Sequence, residues 1–339
     1  MIKTIYVENS VRDHPRVKLI LQKFSKTRLI SIERYTDIFN NRSQNFRLQK
    51  LNPALILAKK HGRYVLPTPA GFGIGGTLNY YFAHMLNCIY DCRYCFLQGM
   101  YSSANYVLFV NFEDFDREIK NLIQIHSKDN LTFFSGYDCD SLALENLSGF
   151  VSHILPVFRN QESAILELRT KSVQIRPLDS IEPINNCVVA FSLMPNAMSQ
   201  ALDHRTPSIS ARLIAINKLA KIGWKIGLRF DPLIYGKNWQ HHYQQLFDQV
   251  FSAIPTSSIH SVSYGPLRFP KSMYKRISKL YPEEELLAIS LSQTNGTVAY
   301  SSEIELEMAE FCKERFANFI SNNFVFQCTV EAQVTRKTG

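Results

Sequence analysis

The chain of 339 residues has no apolar run that approaches 18 residues, and it has no leader-like segment at its start, where Lys3 and the polar stretch from Glu8 to Arg16 interrupt the apolar residues. A membrane-spanning helix needs about 20 apolar residues, so we expect neither a membrane segment nor a signal peptide. Internal repeats and low-complexity tracts are also lacking. Apolar residues make up 45% of the chain, which is enough for a large core.

Cysteine is scarce and unevenly placed. The seven cysteines are an odd number for a disulfide framework, and four of them are scattered: Cys139, Cys187, Cys312 and Cys328. This usage favours a reducing compartment, and we expect a cytoplasmic protein. The other three cysteines lie close together in one short segment, which indicates a different purpose.

The clustered cysteines are Cys88, Cys92 and Cys95, with the spacing C-x3-C-x2-C. A [4Fe-4S] cluster normally takes four cysteines, so three would leave one iron open to a ligand. The spacing resembles the signature of the radical S-adenosylmethionine (SAM) enzymes, in which the open iron binds SAM. One alternative is a structural zinc site, because His84 lies four residues before Cys88 and would complete a Cys3His set. The other is three unrelated buried thiols.

Acidic residues are rare in the first 63 positions, which hold 14 Lys and Arg against 4 Asp and Glu. The rest of the chain is close to neutral, although the whole carries a net charge of +9. A charge concentrated in this way favours a polyanionic partner, and we expect DNA. A second basic run holds Arg268, Lys271, Lys275 and Arg276 with interleaved aromatic residues, a mixture suited to phosphate contact and base stacking. The alternative is a set of solvated helix faces.

Short apolar runs alternate with amphipathic segments along most of the chain. Six runs are predicted as strands: Leu78 to Leu86, Leu131 to Gly136, Ala164 to Arg169, Val188 to Leu193, Lys225 to Phe230, and Ile259 to Tyr264. Strands that alternate with helices predict a parallel sheet, here an α/β fold with a partial (β/α)6 TIM-like barrel. We place a small basic α/β unit at 1–70, the barrel at 71–265 and a basic C-terminal extension, with possible DNA contact, at 266–339.

Polar side chains follow several of these strands at the end where barrels carry their reactive groups. Lys171 would pair with the SAM carboxylate, and Ser192 would hydrogen-bond its polar end. Asp140 or Asp231 would orient the amine or the ribose. Solvated strand caps are the alternative for each residue, and a structural ion pair with Arg229 is the alternative for Asp231.

Most of the chain resembles the spore photoproduct lyase family within the radical SAM superfamily. The similar strings are Ile5 to Glu8, Cys88 to Gln98, Val110-Asn111, Leu168 to Lys171, Phe191-Ser192, Arg205 to Ser208 with Arg212, Phe230 to Ile234, Leu267 to Phe269, and Tyr281-Pro282. The resemblance implies a [4Fe-4S] cluster, SAM, an electron donor such as flavodoxin or ferredoxin, and a monomer. It also implies reversal of a methylene-bridged thymine dimer in DNA, in which a cysteine thiol and tyrosines return a hydrogen atom.

The sequence departs from this family where the hydrogen is returned. Tyr137 stands at the position of the donor cysteine, and Cys139 stands two residues later, where serine is usual. Phe96 replaces a relay tyrosine, whereas Tyr94 remains. Either Cys139 or Tyr137 takes the donor role in this chain, or the protein acts on another substrate. A zinc-stabilised nucleic-acid-binding protein is the third alternative.

Overall fold

The structure of the protein is a computed structural model that describes residues 2–41 and 43–328. The last part of the predicted C-terminal extension, residues 329–339, lies outside the described residues. Within the described ranges, no helix is long and apolar enough to cross a membrane.

Most of the strands are short and buried. They are β1 (Thr4–Glu8), β2 (Arg28–Ile32), β3 (Leu55–Ala58), β4 (Leu66–Pro67), β5 (Leu78–Phe82), β6 (Met85–Leu86), β7 (Asp91–Cys92), β8 (Tyr106–Phe109), β9 (Leu131–Ser135), β10 (Ala164–Thr170), β11 (Cys187–Ser192), β12 (Asp203–His204), β13 (Lys225–Leu233), β14 (Ile259–Pro266), β15 (Arg268–Pro270), β16 (Ser292–Thr294), β17 (Thr297–Ala299) and β18 (Val325–Gln327).

The helices differ widely in length. They are α1 (Pro15–Gln22), α2 (Phe46–Leu51), α3 (Leu97–Met100), α4 (Phe112–Ile125), α5 (Glu145–Ser148), α6 (Phe150–Phe158), α7 (Arg176–Asp179), α8 (Asn196–Leu202), α9 (Ile209–Ile222), α10 (Trp239–Ala253), α11 (Lys271–Leu280), α12 (Glu285–Ala288) and α13 (Ser302–Ala317).

The main sheet has eight strands in the order β18-β14-β13-β11-β10-β9-β5-β4, and its neighbours are parallel except for β4 with β5. The predicted parallel sheet of six strands is therefore confirmed, and the sheet curls into a half-barrel that matches the expected partial TIM-like barrel. The seventh parallel strand, β18, was not predicted, because its three residues carry no apolar run that separates them from a loop.

A second sheet has five strands in the order β2-β1-β3-β8-β6. The parallel strands β1 and β2, connected through α1, lie in the predicted N-terminal α/β unit, and β8 extends the sheet beyond β3. This sheet joins strands from both sides of residue 70. The division into domains stays a prediction.

The predicted strand from Leu78 to Leu86 is split between the two sheets. β5 pairs with β9 in the half-barrel, whereas β6 pairs with β8 in the second sheet. The chain crosses between the sheets at Ala83 and His84, both of which are buried. Apolar residues continue through the crossing at Ala83, so hydrophobicity alone could not show the break.

A buried ion pair occupies the inside of the half-barrel. Arg229 on β13 lies 2.8 Å from Glu167 on β10, and neither side chain is exposed. Arg229 also donates to the hydroxyl of Ser261 at 2.8 Å. The alternative of an ion pair between Arg229 and Asp231 is therefore not what the structure shows: Arg229 reaches across β11 to Glu167 on β10 and bonds Ser261 on the adjacent β14. Gly227 makes room for it, since a Cβ there would lie 2.6 Å from the guanidinium.

Candidate active site

The cysteine loop, which we define as residues 88–95, connects β6 to α3. Within it, β7 forms a short antiparallel pair with β12, and the amide of Arg93 donates to the carbonyl of Leu202 at 2.9 Å. Cys92 is buried, and Cys88 and Cys95 are half-buried. The loop is therefore held against the segment that follows β11, although more than a hundred residues separate them in sequence.

The C-terminal part of the chain also fastens the cysteine loop. The hydroxyl of Tyr281 donates to the side-chain oxygen of Gln98 at 3.0 Å, and the amide of Gln98 donates to Asp91 at 3.0 Å. Arg93 lies over the ring of Tyr281 at 4.1 Å and 3.1 Å from Asp91. All of these groups are largely buried, so the loop is fixed by a polar network as well as by backbone pairing.

From the N-terminal side, Lys50 on α2 reaches the same loop. Its ammonium donates to the carbonyl oxygens of Cys88 at 2.7 Å and Tyr90 at 2.9 Å. The residue is only 5% exposed. Nothing in its sequence surroundings marks it as a site residue, so the sequence analysis missed it.

His84 packs in the core. Its ring stacks on Phe150 with centroids 3.9 Å apart and planes 2° apart, and Phe112 meets it edge-on. Burial lowers the pKa of His84 to about 3. Among the described residues, no three His, Cys, Asp or Glu side chains converge as a site for one metal ion. This packing argues against His84 as a fourth ligand in a zinc site.

The donor chemistry of the three thiols fits an iron–sulfur cluster. Burial raises the pKa of Cys88 to about 12, and it also raises the pKa values of Cys92 and Cys95. Thiolates are the ligands of iron–sulfur clusters, and a bound metal would deprotonate these thiols although burial alone favours the protonated form. The donor set of three sulfurs in one fixed loop therefore fits a cluster, with no fourth cysteine inside the loop.

Lys171 follows β10 and faces two of these cysteines, Cys92 and Cys95. Its ammonium lies 4.0 Å from Asp203 and 5.1 Å from the ring centroid of Tyr94. Although burial opposes the charged form, Cys92 and Asp203 hold the pKa of Lys171 above its ordinary value. Lys171 is thus a partly exposed cation beside the cysteine loop, where the sequence predicted it.

Asp203 joins three of the surrounding side chains. It lies 2.8 Å from Arg212 and accepts a hydrogen bond from the hydroxyl of Tyr94. Burial alone would raise the pKa of Asp203, but Lys171 and Arg212 bring it below its ordinary value. The hydroxyl of Tyr94 is therefore directed into this ion-pair network. Neither Asp203 nor Arg212 is predicted as a site residue from the sequence, although Arg212 belongs to a string that resembles the family.

Ser192 ends β11 beside this network. Its carbonyl accepts from Arg212 at 2.9 Å, and its side chain is partly exposed. Arg212 thus ties the end of β11 to Asp203. The structure brings Ser192 and Lys171 to adjacent strands of the half-barrel, β11 and β10.

The carboxylate of Asp140 accepts four hydrogen bonds from the chain itself. The donors are the amides of Leu142, Ala143 and Lys171 and the hydroxyl of Thr170, at distances from 2.7 to 3.0 Å. Burial is the main reason that the pKa of Asp140 is raised, in spite of these bonds. Asp140 therefore shapes the turn after β9 and holds the backbone of Lys171.

One cavity is shared by Cys88 and Cys139. It is lined by Met85, Asn87, Cys88, Ile89, Cys139, Asp140, Ala143 and Leu144. Burial raises the pKa of Cys139 well above its ordinary value, so the thiol is protonated at neutral pH. The structure thus brings Cys139 next to the first of the clustered cysteines.

Tyr137 lies in a group of aromatic rings from four segments. Its ring centroid is 4.3 Å from that of Tyr81, 5.6 Å from that of Phe96 and 6.1 Å from that of Phe72. Phe72 belongs to the glycine-rich passage before β5. The aromatic group therefore includes two of the positions at which the sequence departs from the family pattern.

Asp231 lines a second cavity, separate from that of Cys88. The cavity is lined by Phe72, Gly73, Phe134, Arg169, Asp231, Ser263 and Cys328. Ser263 donates to Asp231 at 2.8 Å. The structure therefore separates Asp231 from Asp140, the other residue predicted to orient the cofactor.

The second basic run forms α11 and the strand before it. Lys271, Lys275 and Arg276 are exposed, whereas Met273 and Ile277 are buried against α3. Gly99 allows this contact, since a Cβ there would lie 2.6 Å from the carbonyl oxygen of Met273. Helix α11 thus exposes its basic residues on one face and packs its other face against α3, the helix that follows the cysteine loop.

Arg268 differs from the other predicted nucleic-acid residues. It donates to the carbonyl oxygens of Cys328 at 2.6 Å and Pro266 at 3.3 Å. Its side chain is therefore directed at the main chain near the second cavity, apart from the exposed face of α11.

The model of the family described as spore photoproduct lyase matches residues 1–298. The chain belongs to the spore photoproduct lyase family. The resemblance expected from the cysteine string and its companions is thereby confirmed, and it extends from the first strand to the short strand β17.

Two curated relatives are spore photoproduct lyases, from Bacillus subtilis strain 168 and from Geobacillus sp. strain Y412MC61. Each is 22% identical to this chain over 202 residues, which make up 59% of this chain and 59% of the relative. The match thus spans less than two thirds of these family members.

Solved structures of the family share the fold. A substituted spore photoproduct lyase with bound AdoMet and dinucleoside spore photoproduct has a TM-score of 0.84 and 17% identity, covering 98% of this chain and 99% of that chain. A second one, complexed with dinucleoside spore photoproduct, has a TM-score of 0.80 and 17% identity, covering 96% and 98%. The half-barrel is therefore the family fold.

Proposed function

We propose that the protein is a radical SAM lyase that reverses a methylene-bridged thymine dimer, the spore photoproduct, in DNA. The observation that carries the proposal is the cysteine loop, in which Cys92 and Cys95 face the cation of Lys171 at the end of β10. Membership of the spore photoproduct lyase family supports the substrate. A family structure with bound AdoMet and dinucleoside spore photoproduct supports both the cofactor and the lesion.

Cys88, Cys92 and Cys95 would hold three irons of a [4Fe-4S] cluster and leave the fourth to SAM. When bound, the reduced cluster and SAM supply a 5′-deoxyadenosyl radical that removes a hydrogen atom from the lesion. Lys171 would pair with the carboxylate of SAM. Asp203 and Arg212 keep Lys171 and the end of β11 in place, so the residues that meet the cofactor are oriented before it binds.

The aromatic group around Tyr137 offers a surface for a base that has left the DNA stack. Enzymes that act on a base in duplex DNA extrude it into a pocket and stack it on aromatic rings. Tyr81 and Tyr137 supply such rings, and Asp231 and Arg169 supply polar groups in the neighbouring cavity. The exposed cations of α11 would contact the flanking phosphates.

The hydrogen atom would be returned by Cys139 or Tyr137. A thiol gives a hydrogen atom to a carbon radical more readily than a phenol does, and the thiol of Cys139 is protonated at neutral pH. Cys139 lines the cavity that also contains Cys88, which supports its closeness to the radical chemistry. Phe96 has no hydroxyl, so it cannot take part in a relay.

A second candidate is a radical SAM reaction on another substrate. The observation that favours it is the replacement of the donor position by Tyr137, which contacts Phe96 instead of a second tyrosine. The cysteine loop and Lys171 would serve both reactions equally. The identity of the substrate therefore has to be decided by its products.

The test is anaerobic reconstitution with iron and sulfide, followed by incubation with dithionite, SAM and a dinucleotide that carries the lesion. We expect deoxyadenosine and two intact thymines, and neither should form with Cys92→Ala. Deoxyadenosine without thymine release would favour the second candidate. A protein that binds zinc and no iron would refute both. A flavodoxin or ferredoxin donor, a monomeric state and a cytoplasmic location complete the proposal.

A further inference from the structure

Lys50 is a buried cation with an unusual set of partners. Its ammonium donates to two carbonyl oxygens of the cysteine loop, those of Cys88 and Tyr90, and lies 5.8 Å from the ring centroid of Phe46. Within the described ranges, no carboxylate forms an ion pair with this ammonium. Asp91, a nearby acid, lies 3.1 Å from Arg93 instead.

A buried lysine without a counter-charge is costly, because removal of the ammonium from water is offset only by a nearby anion or by neutralisation. Both carbonyl partners of Lys50 belong to the cysteine loop, and one of them is the carbonyl of Cys88 itself. The position therefore makes electrostatic sense when the cysteine loop carries negative charge.

The helix that carries Lys50 is anchored. The side chain of Asn45 caps α2 by accepting from the amide of Leu48 at 3.1 Å, and Arg205 donates to the carbonyl of Lys50 at 2.9 Å. Arg47 pairs with Glu283 at 2.7 Å. Because α2 is tied to β12 and to the C-terminal part of the chain, Lys50 is held against the cysteine loop.

We propose that Lys50 is the counter-charge of the cysteine-bound cluster and favours its reduced state. The inference rests on the proposed function, since it requires the cluster. Three thiolates make a [4Fe-4S] cluster anionic, and the electron that it accepts adds one more negative charge. A fixed cation beside the loop stabilises the reduced form more than the oxidised form. Lys171 does not replace it, because Lys171 is shared with Asp203 and would bind SAM.

The experiment is a redox titration of the reconstituted cluster with dithionite, followed by electron paramagnetic resonance without SAM. The variants are Lys50→Met and Lys50→Gln, which are neutral, and Lys50→Arg, which keeps the charge. Glutamine retains a hydrogen-bond donor for the carbonyl oxygens, so it separates the charge from the tether. Lys18→Met is the matched control, because Lys18 is an exposed cation on α1 whose removal changes the net charge equally.

At a fixed potential we expect the ratio of reduced to oxidised cluster to fall roughly tenfold in both neutral variants, equivalent to about 59 mV for one electron. Lys50→Arg and Lys18→Met should stay close to wild type. If neither neutral variant assembles a cluster while Lys50→Arg does, the iron content itself supports the need for the charge. An intact cluster with an unchanged ratio in Lys50→Gln overturns this inference alone. A wild-type protein without a cluster overturns the proposed function as well.

Discussion

The rings of Tyr137 and Phe96 pack against each other, with centroids 5.6 Å apart and planes inclined at 47°. Tyr137 follows β9, whereas Phe96 follows the cysteine loop, so only the fold brings them together. From the sequence, these are the two positions predicted to depart from the family's hydrogen-return residues. The fold therefore places both predicted departures in one contact, and Cys139 follows Tyr137 by two residues.

The role of Cys139 can be tested by its replacement. We expect Cys139→Ala to cleave SAM and to remove hydrogen from the lesion, but to accumulate adducts because no thiol returns the hydrogen. Product analysis by liquid chromatography and mass spectrometry would detect them. Tyr137→Phe should show this effect less, and Phe96→Tyr should improve turnover. Clean repair by Cys139→Ala at the wild-type yield would contradict the assignment.

Lys171 is predicted to bind the SAM carboxylate. Lys171→Ala should weaken SAM binding by about 1.5 to 3 kcal/mol, because the variant cannot form one charge-assisted hydrogen bond. The iron content should not change, since the cysteine loop is held by β12, Lys50 and Tyr281. Equilibrium binding of SAM to the reconstituted protein measures the effect, with the exposed Lys279→Ala as a control. Unaltered affinity would remove Lys171 from the SAM site.

The DNA surface is predicted on α11. Replacement of Lys271, Lys275 and Arg276 by glutamine should weaken DNA binding and lower the log–log salt slope by about 0.9 for each phosphate that is no longer neutralised. Deoxyadenosine formation without DNA should stay at the wild-type level. The control is a matched triple variant at the exposed Lys18, Lys23 and Lys26. If the salt slope changes in the control variant alone, DNA binds to the first 63 residues instead of α11.

The cluster ligands and His84 should behave differently. Alanine at Cys88, Cys92 or Cys95 should abolish SAM cleavage, because each removes one ligand of a three-cysteine site. His84→Ala should keep its iron, although removal of the ring stacked on Phe150 will lower its stability. Iron per folded protein, measured after gel filtration, separates the two effects. Loss of metal from His84→Ala together with stoichiometric zinc in wild type would restore the zinc alternative.

Glu145 should make stability depend on pH. Burial raises its pKa from an ordinary 4.5 to about 7, while its carboxylate accepts from the amide of Val151 at 3.0 Å. The folded state therefore keeps a proton that the unfolded state loses, so this contribution is present below pH 4.5 and is lost as the pH rises to 7. The free energy of unfolding of the cofactor-free protein, measured with urea at pH 5 and at pH 8, should differ less between the two pH values in Glu145→Gln than in wild type. The control is Glu162→Gln at an exposed position, which should show the same difference in unfolding free energy between pH 5 and pH 8 as wild type.

The family, the cysteine loop and the six parallel strands could all be predicted from the amino-acid sequence. Helix α9 shows why: Ser208 caps it through the amide of Ala211 at 3.2 Å, and Gly223 ends it with a positive φ of 112°. Apolar periodicity, caps and motif spacing are local properties, and local sequence therefore carries them.

The contacts that distant residues make with the cysteine loop were decided by the tertiary structure alone. Lys50, Asp203 and Tyr281 come from three separate parts of the chain, and no local pattern predicts their contacts with the loop. The same holds for the break at Ala83–His84 and for the pairing of Arg229 with Glu167 instead of Asp231. A side chain's partner is set by the sheet order and by the direction in which each residue points, and neither is encoded in the spacing of neighbours along the chain.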